Sequence, residues 1–169
     1  NPRIGRTPFQ DVRVRRAVSL TLDRELLVRE ALGGQGKPLW QLAPPGTVGH
    51  DPALDRGEPD LPGARRLLAE AGFPGGFEST LLVDADRAHV AREIARQLAV
   101  VGIRLGVEAQ PWDEVFRRML FGLAPAALSS TNVATGHVSS LYESFLHSAG
   151  PDSIFGAENS ARFSDPEVD

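Results

Sequence analysis

The sequence predicts an α/β fold, a mixed sheet with crossover helices, on three observations. From Phe77 onward, apolar strand-like runs alternate with helix-period segments: Phe77 to Val83, residues 86–101, Ile103 to Val107, the stretch after Pro111, and Ala126 to Ser130. Strands and helices in that order require crossover connections. Glycines close the helical segments, Gly72 before the first strand and Gly102 before the second. Finally, 169 residues with 41% apolar and 24% charged content suit one globular domain.

Each element has its own local reason. Val14, Ala17, Val18, Leu22 and Leu26 recur at helical spacing, so one helix is expected from Asp11 to Leu32, stopped by Gly33-Gly34. Residues 33–62 then form a long Pro/Gly-rich loop containing Trp40, Pro44-Pro45-Gly46 and Gly49; a loop of that length is usually functional or wraps another surface. Asp60 is a natural N-cap for a short helix carrying Ala64, Leu67, Leu68 and Ala71. Phe77 to Val83 reads as a buried strand. In the helix over 86–101, Ala91, Ile94, Ala95 and Leu98 face inward, with Arg92, Glu93, Arg96 and Gln97 outward. Ile103, Leu105 and Val107 alternate as a half-buried strand does. After Pro111, Trp112, Val115, Phe116 and Met119 define another helix, and a third strand follows around 126–130.

Composition excludes several functions. A net charge of −4 lacks the basic footprint of a nucleic-acid or anionic-membrane binder. Lys37 is the sole lysine, and the arginines are dispersed, which fits codon bias better than function. The absence of cysteine removes thiol catalysis, thiolate metal sites and disulfides. No stretch approaches the roughly 18–20 apolar residues of a membrane span. The first residues, Asn1-Pro2-Arg3, carry no signal peptide, which points to the cytoplasm for a whole protein and says nothing for a piece of one. The last, Ser164-Asp165-Pro166-Glu167-Val168-Asp169, read as the start of a helix cut short, so a longer parent is expected.

Other chemistry finds little support. His50, His89, His137 and His147 show no metal-ligand spacing, so neither a metal nor a cofactor is expected. Gly36-Lys37 precedes Pro38 and lacks the remaining phosphate-loop residues. Ser129, His137 and Asp152 make a triad only on paper, with no Gly-x-Ser-x-Gly elbow. Asp84, Asp86 and Glu93 suit a helix start and a solvated face.

Several phrases, in order, resemble family 5 extracytoplasmic solute-binding proteins of the peptide/nickel type. They are Pro8-Phe9-Gln10-Asp11-Val12-Arg13-Val14-Arg15-Arg16-Ala17, Leu22-Asp23-Arg24, Gly33-Gly34 with Pro38, Ala64 through Phe77, Ile94 to Ile103, and the final Ser164–Asp169 phrase. The resemblance implies one lobe, the second-lobe α/β domain, of a two-lobed periplasmic-binding-protein type II fold, with residues 1–169 as a single domain. It further implies a secreted or lipid-anchored parent that closes on a peptide or other small solute and hands it to an ABC permease. The first lobe would supply the other half of the site, and its absence leaves an apolar face on which the piece is expected to self-associate modestly.

In peptide-binding members, the strand after the Trp-bearing helix runs into a phrase of Trp, two variable residues, Asp and an aromatic, whose Asp pairs with the peptide amino terminus. Counted without gaps from Trp112, Thr131 falls on the Trp position and Ala134 on the Asp position. That departure implies a solute without a free amino terminus, unless a gap shifts the register. Ser129, Ser130, Thr131 and Asn132 then offer uncharged donors and acceptors suited to a neutral hydroxylated solute. Trp112 stands where peptide binders also carry a Trp near the ligand; the alternative is a core or helix-start aromatic. Arg118 and Met119 stand where some members place a charged contact, and for Arg118 a solvated face is expected. Trp40 either packs in the core or meets the other lobe across the cleft. A cytoplasmic transcription regulator with a similar sensing domain is the alternative function, and an enzyme the third.

Overall fold

The computed structural model describes residues 7–55, 57–133, 135–148, 156, 158, 159 and 164. A three-stranded sheet lies at its centre, formed by β1 (Phe77–Asp84), β2 (Ile103–Gln110) and β3 (Ala126–Leu128) in the order β2-β1-β3. Both pairings are parallel: Phe77 stands opposite Ile103, Asp84 opposite Gln110, and Leu81 opposite Ala126. The antiparallel part of the expected mixed sheet therefore does not occur among the described residues. The crossover helices do: α4 (Ala88–Ala99) joins β1 to β2, and α5 (Trp112–Leu120) joins β2 to β3.

The side-chain alternation of the central strand assigns the layers. Leu81 and Val83 pack with Ala88 and Ala91 of α4 and with Leu105, Val107, Ala126 and Leu128. Leu82, fully buried, points to the opposite face, and α5 packs against β1. A second apolar cluster joins α4 and β2 to α1 (Val12–Thr21) and α3 (Leu61–Glu70), through Val14, Ala17, Ala64, Leu68, Leu98, Val101 and Ile103. Its aromatic edge is a chain of three rings, with Phe9 and Phe73 at 5.4 Å and 5.2 Å from Phe77.

The expected helix over 11–32 is two helices. α1 ends at Thr21, and α2 (Arg24–Ala31) starts afresh. Leu22 and Asp23 are extended, and the Asp23 carboxylate accepts the Leu26 N–H at 2.8 Å, an N-cap in the middle of an apolar repeat. The break leaves the Asp23 N–H without a helical acceptor. Gln97 of α4 supplies one, its Oε1 accepting that N–H at 2.8 Å while Nε2 donates to the Asp23 carbonyl and to Glu93 Oε1. Gln97 is consequently buried at 6% exposure, where an outward position was expected. A buried amide is tolerated because its polar atoms are paired.

Asp60 caps α3 as expected, accepting the Gly63 N–H at 2.8 Å. The loop before it holds itself together. Gln41 donates to the Asp51 carbonyl and the Asp55 carboxylate, and His50 Nε2 lies 2.6 Å from the other Asp55 oxygen. Val48 also makes a parallel bridge to His137. No described helix is long and apolar enough to cross a membrane.

Candidate functional site

The carboxyl ends of the parallel strands all open onto one edge, the place where α/β sheets bind ligands. β1 ends at Asp84 and turns into α4; β2 ends at Gln110 and turns through Pro111 into α5; β3 ends at Leu128 and runs into Ser129. The side chains that meet at this edge come from all three turns.

Trp112 is the first residue of α5 and is 45% exposed. It is a helix-start aromatic, not a core residue: Val115, three positions on, is the residue of this helix that is fully buried. Phe116, one turn further, lies beside it at 5.9 Å and is exposed too. A cleft of about 80 Å³ is lined by Trp112, Phe116, Met119 and Leu120 from α5, and by Ser129, Ser130 and Thr131 after β3, with Phe145 and Glu158 closing it. An adjoining cleft of about 260 Å³ is lined by Asp84, Arg87, Trp112 and Ser130. Trp112 and Ser130 thus stand between two open depressions, one apolar with a hydroxyl rim and one carrying an ion pair.

An ion pair ties α5 to β2. Arg118 Nη1 donates to Glu108 Oε1 of β2 at 2.5 Å, and Gln110 Nε2 donates to the same oxygen at 3.3 Å. The Arg118 hydrogen bond holds the Glu108 carboxyl below its ordinary pKa against the opposing effect of burial. Arg118 is only 20% exposed, so it is a strut between helix and strand; the solvated face expected for it is not what forms. Arg117 closes both Nε and Nη2 on Glu114.

Of the residues singled out from sequence, Trp112, Ser129, Ser130 and Thr131 come together at this edge. Asn132 is exposed just beyond them but lines neither cleft, and Ala134 lies outside the described residues. Trp40 belongs to another place. Its indole N–H donates to the Gly57 carbonyl at 2.9 Å, the Arg24 guanidinium lies 6.0 Å above its ring, and it lines a separate cleft with Ser19, Leu20 and Leu54. His137 accepts the Ser139 N–H on Nδ1. Asp84 and Arg87 were not among the expected site residues. Their signal was present, an acid and a base three apart in the turn leaving the carboxyl end of a strand, but that spacing also suits a helix start.

Against known proteins, residues 1–153 match the family described as bacterial extracellular solute-binding proteins, family 5 Middle. A "Di/tripeptide-binding protein 2" of Pseudomonas aeruginosa is 30% identical over 169 residues, which is 96% of this chain and 31% of that protein. "Heme-binding protein A" of Haemophilus influenzae is 25% identical, over 97% of this chain and 30% of that protein. Among solved structures, the A. tumefaciens R10 protein AgaA in complex with agropinic acid superposes with a TM-score of 0.82 at 26% identity, covering 95% of this chain and 33% of that one. HbpA2 of Haemophilus parasuis superposes at 0.83 and 24% identity, covering 96% and 32%, a likeness of fold. The fold is one lobe of a periplasmic binding protein. The chain belongs to the family 5 extracellular solute-binding proteins and spans about a third of the length of the curated relatives it matches.

Proposed function

We propose that this chain forms one wall of the solute site in the binding component of an ABC importer, and that the site is the edge carrying Trp112 and Ser129–Asn132. The observation that carries the reading is a half-exposed Trp112 flanked by exposed hydroxyl side chains where all three parallel strands end. A large aromatic ring left open to water costs free energy, and a partner that covers it recovers that cost. In the intact protein the partner is a solute held against this edge by the other lobe, through hinge closure, with the closed form delivered to a membrane permease. The parent is extracytoplasmic, as its family is described. It is a binding protein and not an enzyme, like the relatives named above. None of those relatives is a transcription regulator, so the sensing-domain alternative has nothing in its favour.

The solute is hydroxyl-bearing and lacks a free amino terminus. Ser129, Ser130, Thr131 and Asn132 provide uncharged hydrogen-bonding groups, and, counted without gaps from Trp112, Ala134 falls on the position the peptide binders give to aspartate. Relatives named for di/tripeptides and heme, and one structure holding agropinic acid, leave the solute class open within the family. The test is mass spectrometry of small molecules released by denaturing the intact protein, purified without refolding. A hydroxylated compound without a free amine supports the reading; a mixture of short peptides overturns it.

A further inference from the structure

One wall of the Trp112 cleft is seated on the long loop and not on the sheet. Phe145 and Glu158 close that cleft. Phe145 lies in the single wide turn Tyr142–Leu146, and the Glu158 N–H donates to the Ser144 carbonyl at 3.0 Å, so the two belong to one unit. The apolar cluster under this unit consists of Ala43, Val138 and Leu141, with Val133 and Phe145 packed on it. Among the described residues it takes nothing from the sheet or from α1–α5; its partner from elsewhere is Ala43 of the loop. Backbone joins the same two parts. The Val48 N–H donates to the Gly136 carbonyl and the Val138 N–H to the Val48 carbonyl, both at 3.0 Å. Beside that bridge Gly49 has φ +96°, and a Cβ built on it would overlap Val138 Cγ1.

We propose that loop residues 41–50 set the position of the Phe145 wall relative to Trp112, with Gly49 as the positioning residue at the joint; the inference rests on the site reading above. Gly49 cannot relieve an added side chain by swinging away, because both neighbours are pinned. Val48 is bonded to residues 136 and 138. His50 Nε2 lies 2.6 Å from one Asp55 oxygen, and the other Asp55 oxygen accepts from Gln41 at 2.6 Å. Val138 on the far side is 5% exposed, so it has no open space of its own. A close-packed joint of this kind transmits a displacement instead of absorbing it. Val138 is the N-cap of the turn Ser139–Leu141, which runs directly into Tyr142–Leu146, so moving Val138 moves Phe145. The opposite wall stays put, since α5 is anchored by buried Val115 and by the Arg118–Glu108 pair. The spacing between Phe145 and Trp112 therefore depends on how closely the loop approaches Val138. This gives the long Pro/Gly-rich loop a part in the site although none of its residues lines the cleft.

The experiment follows the Trp112 indole N–H signal by NMR in the intact protein, free and titrated with galactitol and galactonate, two hydroxylated compounds without an amine. Gly49→Ala is compared with Gly46→Ala, which places a methyl in the same loop at φ +88° but meets nothing within 4 Å. Both carry the left-handed strain, and only the first presses on Val138. The proposal expects Gly49→Ala to shift the Trp112 signal of the free protein and to weaken whichever probe binds about threefold or more. Gly46→Ala is expected to match the unmodified protein in both. Adding Val138→Ala to Gly49→Ala removes the overlapping methyl and leaves the two Cβ atoms 3.4 Å apart, an ordinary contact. The double variant should therefore return to the signal and affinity of Val138→Ala alone. If Gly49→Ala folds poorly, Val138→Ala carries the test, because it loosens the same joint without a left-handed alanine; an unmoved Trp112 signal in it overturns the proposal. Gly49→Ala indistinguishable from Gly46→Ala, or not rescued by Val138→Ala, overturns the positioning role while leaving the site intact, because Trp112 still answers to a probe. A Trp112 signal that neither probe moves in the unmodified protein overturns the site reading, and the proposal with it.

Discussion

Substituting Gly76 by alanine tests the sheet where its first ladder begins. Gly76 has φ +80°, a left-handed conformation, and a Cβ built there falls 2.0 Å from the Gly102 carbonyl oxygen. That oxygen accepts the Phe77 N–H at 3.1 Å, immediately before the Phe77–Ile103 pair. The left-handed backbone alone costs a residue with a Cβ about 1–2 kcal/mol. Relieving the contact means moving backbone from backbone, which sacrifices that hydrogen bond for about 1 kcal/mol more. The sum is about 2–3 kcal/mol. Two neighbours calibrate it. Gly72 is also left-handed, φ +90°, but a Cβ there meets nothing within 4 Å, so Gly72→Ala should cost only the conformational part, about 1–2 kcal/mol. Gly75 meets nothing within 4 Å and is not left-handed, so Gly75→Ala should stay within about 0.5 kcal/mol. The assay is urea unfolding of the three variants in the intact protein, compared by midpoint. Gly76→Ala as stable as Gly75→Ala would refute the close approach of the β1 and β2 entrances. Because Gly76 lies at the amino end of the sheet, solute affinity in the folded variant should be unchanged.

The opposite dissociation is expected at the other edge: Trp112→Ala, removing an exposed ring, should leave the unfolding midpoint nearly unmoved while weakening solute binding tenfold or more, on the scale of about 1.4 kcal/mol per decade. Gln97→Leu should destabilise by about 1–3 kcal/mol, because it strands the Asp23 N–H at the break between α1 and α2; urea midpoints read it, and a neutral result would mean water replaces the amide. The Arg13 hydrogen bonds hold the Asp11 carboxyl down at about 2 from its ordinary 3.8. A depressed folded-state pKa contributes stability that is present above 3.8 and lost as pH falls towards 2. Asp11→Asn keeps a capping oxygen for α1 but removes that charge, so its stability should fall less steeply across this window in acid unfolding curves; parallel curves for the two proteins would contradict the assignment.

Much of the fold was legible because neighbours in sequence decide it. An apolar run marks β1 and apolar alternation β2, the 3.6-residue repeat marks α4 and α5, and Asp60 announces α3 through its own carboxylate. What escaped depended on partners far along the chain. Val18, Leu22 and Leu26 keep helical spacing straight across the break at Asp23, and only Gln97, 74 residues away, makes that break comfortable. The same long-range bond reverses the side that Gln97 takes. Arg118 looked solvated until β2 brought Glu108 beside it. Trp112 and the hydroxyl segment were singled out through their order along the chain, but Asp84 was read with Asp86 and Glu93 as a helix start and a solvated face, since nothing local tells a capping acid from a cleft-lining one. Trp40 shows the converse, a conspicuous aromatic whose partners, Gly57 and Arg24, belong to another face.

The most direct test of the central claim is a crystal structure of the intact protein with the solute it carries when purified. The account predicts the solute in van der Waals contact with Trp112, hydrogen-bonded within residues 129–132, at the carboxyl edge of the sheet. A solute seated elsewhere, against Trp40 for instance, with Trp112 still open to water, would contradict it.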